Sequence, residues 1–240
     1  YYHRTNVSDV NSFKNLLLPI TILIIPIVLV VSQPDLGTSI LIALSGLVVL
    51  WLAGLNIKYF IYSSLFFVIS LPFVISFLKP YQKLRILTFF NPDKDPLGAG
   101  YQIIQSKIAI GSGGFSGKGF LNGTQTKGGF VPEQHSDYIF STIGEEWGFL
   151  GSCALIILYT ILILRIIYRA EKQINPFTRI FSYSFASMLF VHFFINIGMT
   201  LGLVPTVGIP LPFISYGGTN LLAFSLMLFI YLNLDSNRLN

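Results

Sequence analysis

Four of the ten acidic residues in this sequence, Glu133, Asp137, Glu145 and Glu146, lie with His135 in "VPEQHSDYIFSTIGEEWGF", residues 131–149, although only 10% of the chain is charged. Carboxylates and an imidazole at this density suit proton transfer to or from a hydroxyl, or ligation of a divalent cation. Asp137 leads. Glu133, His135 and Asp137 alternate, so an extended backbone projects all three to one side. Ser136 then stands where it caps a helix with Ile139, Phe140 and Ile143 on its apolar face. An Asp in the first turn of that helix is kept ionised by the helix dipole and the free amide groups. The same residue would also serve simply to stabilise a helix start, and the residues alone leave both roles open. Thr142 to Glu145 matches a capping box, which gives Glu145 a structural role. One His with one or two carboxylates at no recognised spacing is a poor metal signal, so an interfacial hydrogen bond comes first for His135.

Lys83, Arg85, Lys107, Lys118 and Lys127 fall in the same part of the chain and suit an anionic head group. The glycines from Gly111 to Gly119 could present backbone N–H groups to phosphate oxygens. "GSGGFSGKGF" nevertheless lacks the Lys-Ser/Thr ending and the preceding strand of a nucleotide-binding loop. For Lys94 and Lys127, contact with lipid phosphate is the preferred reading. Asp35, in "SQPDLGTS", reads as an anion at a helix start. "GLVPTVGIPLPFISYGGTN" sets Pro205, Pro210 and Pro212 among glycines at membrane depth, where irregular backbone is tolerated only beside protein or water, so it is expected to line a cavity. His192 and Asn196, one turn apart in an apolar run, face the bundle and suit interhelical hydrogen bonds.

The elements that must hold these residues are set by composition. The chain has 240 residues, is 53% hydrophobic and has a mean hydropathy of +0.70, well away from the roughly 25% charge of a soluble domain. Its net charge of +5 is scattered between apolar runs, not gathered into a stripe, which argues against nucleic-acid binding. A single cysteine, Cys153, excludes an internal disulfide. A helix needs about 20 apolar residues to cross a bilayer. Six runs approach that length: Leu16 to Val31, Leu36 to Leu55, Tyr59 to Leu78, Trp147 to Tyr168, Ile180 to Leu203 and Thr219 to Leu234. The expected fold is an all-α polytopic transmembrane helix bundle, one domain over 1–240. With both termini cytoplasmic, Arg4, Lys14, Lys58, Arg165, Arg169, Lys172, Arg179 and Arg238 all fall inside, and the two short outer loops carry no Lys or Arg. Residues 79–146 then form a large outer loop, too long to be structureless. "PYQKLRILTFFNP" predicts an interfacial amphipathic helix, and "GYQIIQSKIAIGSGGFSGKGF" a short helix broken at Gly111, Gly113 and Gly114.

"QPDLGTSILIALSGLVVLWLAGL", "NPDKDPLGAGYQIIQSKIAIGSGGFSGKGFLNGTQTKGGFVPEQHSDYIFSTIGEEWGFLG" and "NIGMTLGLVPTVGIPLPFISYGGTN" together resemble the SEDS family (shape, elongation, division and sporulation), over nearly the whole chain. The resemblance implies a multi-pass protein of the bacterial cytoplasmic (inner) membrane. Its implied activity is that of a peptidoglycan glycosyltransferase polymerising lipid II into glycan strands for elongation and rod shape, with a class B penicillin-binding protein as transpeptidase partner. It also assigns Asp137, in "HSDYIF", as the essential acid of the outer loop, taking the proton from an acceptor sugar hydroxyl. Lys107, Lys118, Arg85 or a divalent cation (Mg or Mn) would stabilise the departing lipid pyrophosphate, and Glu133 and His135 join the substrate-binding candidates. No organic cofactor is implied. A lipid II flippase and a non-catalytic scaffold for the transpeptidase are the competing readings. The family pattern includes further spans ahead of this region, with a Gln-Pro-Ser-Glu motif followed by a lysine, which this sequence does not contain; the expectation is a piece of a longer protein or a truncated one.

Overall fold

The computed structural model describes residues 11–33, 35–95 and 98–236, which form helices joined by turns, with no strand among them. In chain order these are α1 (Phe13–Ser32), α2 (Leu36–Leu52), α3 (Ile57–Phe77), α4 (Pro80–Phe90), a 3₁₀ turn (Pro92–Lys94), α5 (Ala99–Ser112), α6 (Thr124–Lys127), α7 (Ile139–Glu171), α8 (Pro176–Thr200) and α9 (Gly218–Ser236). Apolar helices occupy all six expected positions. Of these, α1, α7, α8 and α9 are long and apolar enough to cross a membrane, while α2 and α3 contribute the shorter stretches Gly37–Leu52 and Ile57–Ser70. For α2 the difference is one of length, since its 17 residues rise only about 26 Å. The chain is a multi-pass membrane protein.

Chain contacts divide it into two compact units. The first takes residues up to Leu78, then Arg165–Val191 and the chain from Leu228. There Leu16, Leu50 and Leu55 bury one another, with Leu23 and Phe60 packed alongside. Asp35 accepts from Thr38 N at 3.0 Å and Thr38 Oγ1 at 2.6 Å, so it closes the start of α2 as its position suggested. Asp235 pairs with Arg169 at 3.3 Å and accepts from Gln173 Nε2 at 2.7 Å.

The second unit, Lys79–Leu164 with His192–Met227, contains the whole of the expected outer loop. The "PYQKLRILTFFNP" stretch is helical as α4, with Leu84, Ile86, Leu87 and Phe90 exposed. Asp95 Oδ2 accepts from Ala99 N at 2.8 Å and so starts α5, which runs through Gly111, where a break was expected, and ends at Ser112 ahead of Gly113 and Gly114.

α7 is continuous in sequence but not in backbone. Its 33 residues would run about 50 Å as one helix, against a hydrocarbon core of about 30 Å. The helix breaks at Gly148 (φ 65, ψ −159), leaving an arm over 139–147 ahead of the span. The glycine loop fills that break. Lys118 N and Gly119 N donate to the carbonyls of Glu145 and Glu146 at 3.0 and 2.9 Å. On the other side of the break, Phe149 N and Leu150 N donate to Gly114 O and Phe115 O at 2.9 and 3.2 Å. The approach is too close for side chains: a Cβ on Gly117 would lie 2.2 Å from Glu146 O, and one on Gly148 would lie 2.3 Å from Gly117 N.

Candidate functional site

Residues 131–138 are the first place where structure departs from expectation. They coil through successive turns and are not extended, so Glu133, His135 and Asp137 do not share one edge of a strand. Glu133 sits at φ 51, and its carbonyl accepts from both Ser136 N and Tyr138 N at 3.1 Å, which wraps the chain back on itself. Ser136 caps nothing: its hydroxyl donates to Glu133 Oε2 at 3.0 Å. The Thr142–Glu145 capping box is also absent. Thr142 Oγ1 donates to Gln134 O at 3.2 Å, and Glu145 turns toward a distant part of the chain.

The turn carrying Asp137 is fixed through its backbone. Three consecutive carbonyls are each met by a donor from the chain after residue 195. Tyr216 N donates to His135 O at 2.8 Å, Ser215 Oγ to Ser136 O at 2.5 Å, and Asn196 Nδ2 to Asp137 O at 2.8 Å. The proline-glycine loop supplying two of those donors is itself anchored on helices. Asn196 Nδ2 also donates to Ile209 O at 2.7 Å, His192 Nδ1 lies 3.5 Å from Pro210 O, and Tyr159 OH donates to Pro212 O. His192 and Asn196 therefore hold a loop, where interhelical bonds were expected, because the irregular backbone leaves carbonyls bare at that depth.

Charged side chains meet this loop at three points. Asp137 Oδ2 lies over Gly208 (φ 76), 3.2 Å from where a Cβ would sit. Lys107 crosses Gly202 (φ 70), with Nζ 2.7 Å from a Cβ position there. Arg85 Nη1 donates to Thr206 O at 3.4 Å. Lys107 is exposed, and its ammonium has no hydrogen-bond partner among the described residues; its helix is held by Ser106 Oγ, which donates to Thr200 O at 2.8 Å. Arg85, Lys107 and Asp137, named from sequence, are thus brought onto one loop by α4, α5 and the turn before α7.

Partial burial raises the Asp137 carboxyl above its ordinary value; the Glu133 charge adds to this and the Arg85 guanidinium opposes it. The neighbouring Tyr138 hydroxyl is buried without a hydrogen-bond partner among the described residues, and burial pushes its phenol up as well. Glu133 and His135 are exposed. His135 enters the arrangement through its carbonyl, while its ring Nε2 lies 3.4 Å from Gln134 Nε2.

Lys118 is placed elsewhere. Its Nζ is 2.7 Å from Glu145 Oε1, 2.8 Å from Ser112 Oγ and 2.7 Å from Thr124 Oγ1. An ammonium has three N–H donors, so none is left for a phosphate. The Glu145 carboxylate, fully buried, also accepts from Gln125 N at 2.8 Å and Thr126 N at 2.9 Å. Burial pushes this carboxyl up, but the bonds from Lys118 and the two amides overcome it and hold it down at about 2.

No group of three or more His, Cys, Asp or Glu able to hold a metal occurs among the described residues. Asn196, Ser215, Gly202 and Gly208 were not identified from sequence as site residues. Ser215, Gly202 and Gly208 were signalled only by the proline-glycine run, and Asn196 only as a polar residue in an apolar run.

A sequence model of the family FTSW_RODA_SPOVE, cell cycle protein, matches residues 1–240. The chain is 44% identical over 228 residues to peptidoglycan glycosyltransferase MrdB of Escherichia coli (strain K12), covering 95% of this chain and 62% of that protein. It is 42% identical over 229 residues to the probable peptidoglycan glycosyltransferase FtsW of Buchnera aphidicola subsp. Schizaphis graminum, covering 94% and 64%. Among solved structures, a chain from "Structural coordination of polymerization and crosslinking by a peptidoglycan synthase complex" matches with a TM-score of 0.79 at 33% identity, covering 95% of this chain and 63% of that one. The crystal structure of the Thermus thermophilus rod shape determining protein RodA matches with a TM-score of 0.63 at 25% identity, covering 98% and 62%. The chain spans less than two thirds of the length of each of these relatives.

Proposed function

We propose, since the chain belongs to the FTSW_RODA_SPOVE family of cell cycle proteins, that it carries the base-bearing part of a peptidoglycan glycosyltransferase that polymerises lipid II. The observation that carries this reading is the half-buried Asp137 carboxylate, fixed over Gly208 with its pKa raised. The names of the E. coli and Buchnera relatives supply the activity. In the reaction the 4-hydroxyl of the acceptor sugar attacks the anomeric carbon of the donor. The new O–C bond forms as the bond from that carbon to the lipid pyrophosphate breaks. Its electron pair leaves with the phosphate, and the hydroxyl proton passes to Asp137. An α-linked donor gives a β-linked strand in this single inverting displacement. A carboxylate with a raised pKa is a stronger base than an ordinary one, and general-base help is worth about 10²- to 10⁴-fold.

Arg85 and Lys107, on the same loop, would meet the charge that develops on the leaving pyrophosphate. A divalent cation fits only in part. Asp137 and Glu133 offer carboxylate ligands, and Mg²⁺ is commonly held by one or two carboxylates plus substrate phosphates and water. Such an ion would neutralise pyrophosphate charge. The reading extends to a protein of the bacterial cytoplasmic membrane, with the 79–146 segment outside and both termini within, acting beside a class B penicillin-binding protein. The asymmetry of Lys and Arg between the short segments and the resemblance support these statements.

The test is strand synthesis from labelled lipid II by the full-length natural protein with its transpeptidase. Asp137→Ala and Asp137→Asn are each expected to lose at least a hundredfold in rate. Undiminished synthesis by either variant overturns Asp137 as the base. Wild-type protein that makes no polymer but moves lipid II between leaflets supports the flippase reading, and one that does neither supports the scaffold.

A further inference from the structure

We propose that Asn196 and Ser215 are positioning residues for Asp137: the side-chain amide and hydroxyl fix the backbone of the acidic turn against the proline-glycine loop, and so set where the carboxylate stands over Gly208. This rests on the reading of Asp137 as the base.

Asn196 is fully buried, on the last turns of α8. Both bonds from its amide nitrogen go to carbonyls, Asp137 O on one segment and Ile209 O on the other, 72 residues apart (209 − 137). This fixes the orientation of the amide, because a flipped side chain would set its oxygen against two carbonyl oxygens. In this orientation Oδ1 is left buried with no partner among the described residues. A bare buried acceptor is costly, and an apolar residue would avoid it. The arrangement therefore favours the join between the two segments over the satisfaction of Asn196 itself. Ser215 makes a second join: its hydroxyl donates to Ser136 O and accepts from Leu211 N at 2.7 Å. Tyr216 N completes the set on His135 O. The carbonyl of Asp137 itself and the two before it are held, so its Cα cannot shift without breaking a hydrogen bond. Misplacement of a reacting group by about 1 Å can cost a hundredfold in rate.

The experiment uses the full-length protein with its partner and reads two quantities. The first is hydrogen–deuterium exchange of the Tyr216 amide and of the Ser136 and Tyr138 amides, which requires no activity. Asn196→Ala and Ser215→Ala should each speed that exchange at least tenfold, while the circular dichroism and elution profile remain those of wild type. The second is kinetics: kcat should fall roughly tenfold to a hundredfold with KM for lipid II within twofold. Ser215→Thr keeps the hydroxyl and should restore both exchange and kcat. Unchanged exchange in Asn196→Ala and Ser215→Ala shows that the hold is not made and overturns the inference. Faster exchange with wild-type kcat, in a protein that Asp137→Asn inactivates, also overturns it. If Asp137→Asn is fully active, the base assignment falls, and the exchange measurement still decides whether these residues hold the turn.

Discussion

At the residue scale, the chemistry of Asp137 depends on its burial and on two charged neighbours, with effects of different signs. Burial and Glu133 raise its pKa and Arg85 lowers it. A base works only while ionised, so kcat should fall as pH drops through a value above that of an ordinary aspartate. Removing Glu133's charge by Glu133→Gln should move that acid limb to lower pH. Removing the opposing cation by Arg85→Met should move it to higher pH, with an added loss of rate if Arg85 also meets the pyrophosphate. A pH–rate profile for each variant checks the signs, and shifts in the same direction would mean that charge is not the cause. Gly208→Ala tests the space beneath the carboxylate. It adds a Cβ 3.2 Å from Asp137 Oδ2 at a positive φ, so kcat should drop while lipid II still binds. Asp137 was legible in the sequence because an acid-rich turn is conspicuous in a chain with so few charges. Its holders were not, because they act on backbone carbonyls, which carry no residue identity.

At the scale of elements, the glycine loop and the arm of α7 are locked by Glu145 and Lys118. Removing the lysine leaves a buried carboxylate without its counter-charge, so Lys118→Ala should destabilise the protein by about 3–5 kcal/mol. Thermal unfolding in detergent at neutral pH reads this. The folded-state pKa of Glu145 is depressed to about 2 from an ordinary value of 4.5. Its contribution is therefore fully present above about 4.5 and drains away as pH falls toward 2. Wild type and Lys118→Ala should differ most near neutrality and converge in acid. Gly148→Ala places a side chain in a region of φ,ψ open essentially to glycine, at a cost of about 1–3 kcal/mol before the contact with Gly117 N is counted. A melting temperature equal to wild type would contradict that contact. Local sequence could not reveal the lock. Thr142 to Glu145 satisfies a capping pattern, but the true partner of Glu145 lies 27 residues earlier. Likewise the alternation of Glu133, His135 and Asp137 promised an extended segment, and the left-handed Glu133 turned it into a coil.

For the whole molecule, the apolar runs determined the helices almost by themselves, because a spanning helix must satisfy its backbone internally and shed its charges. α7 is the exception worth explaining. The apolar run from Trp147 marked the span, and Ile139, Phe140 and Ile143 marked the helical arm ahead of it; their union in one element broken at Gly148 was not visible in either. The topology is testable with single cysteines in a Cys153→Ser background. A membrane-impermeant maleimide applied to intact cells should label a cysteine at Lys127 and leave one at Lys172 unlabelled until the membrane is opened. The reverse pattern would place the site on the wrong side of the membrane for an extracellular polymer.

The seam at Gly148 carries a mechanical implication. Four peptide groups, two on each bank of the interruption, are quenched by a single stretch of chain that threads between them. Were that stretch to lift away, all four would lose their partners at once. The two halves of the long rod and the chain between them must therefore loosen together or stay shut together.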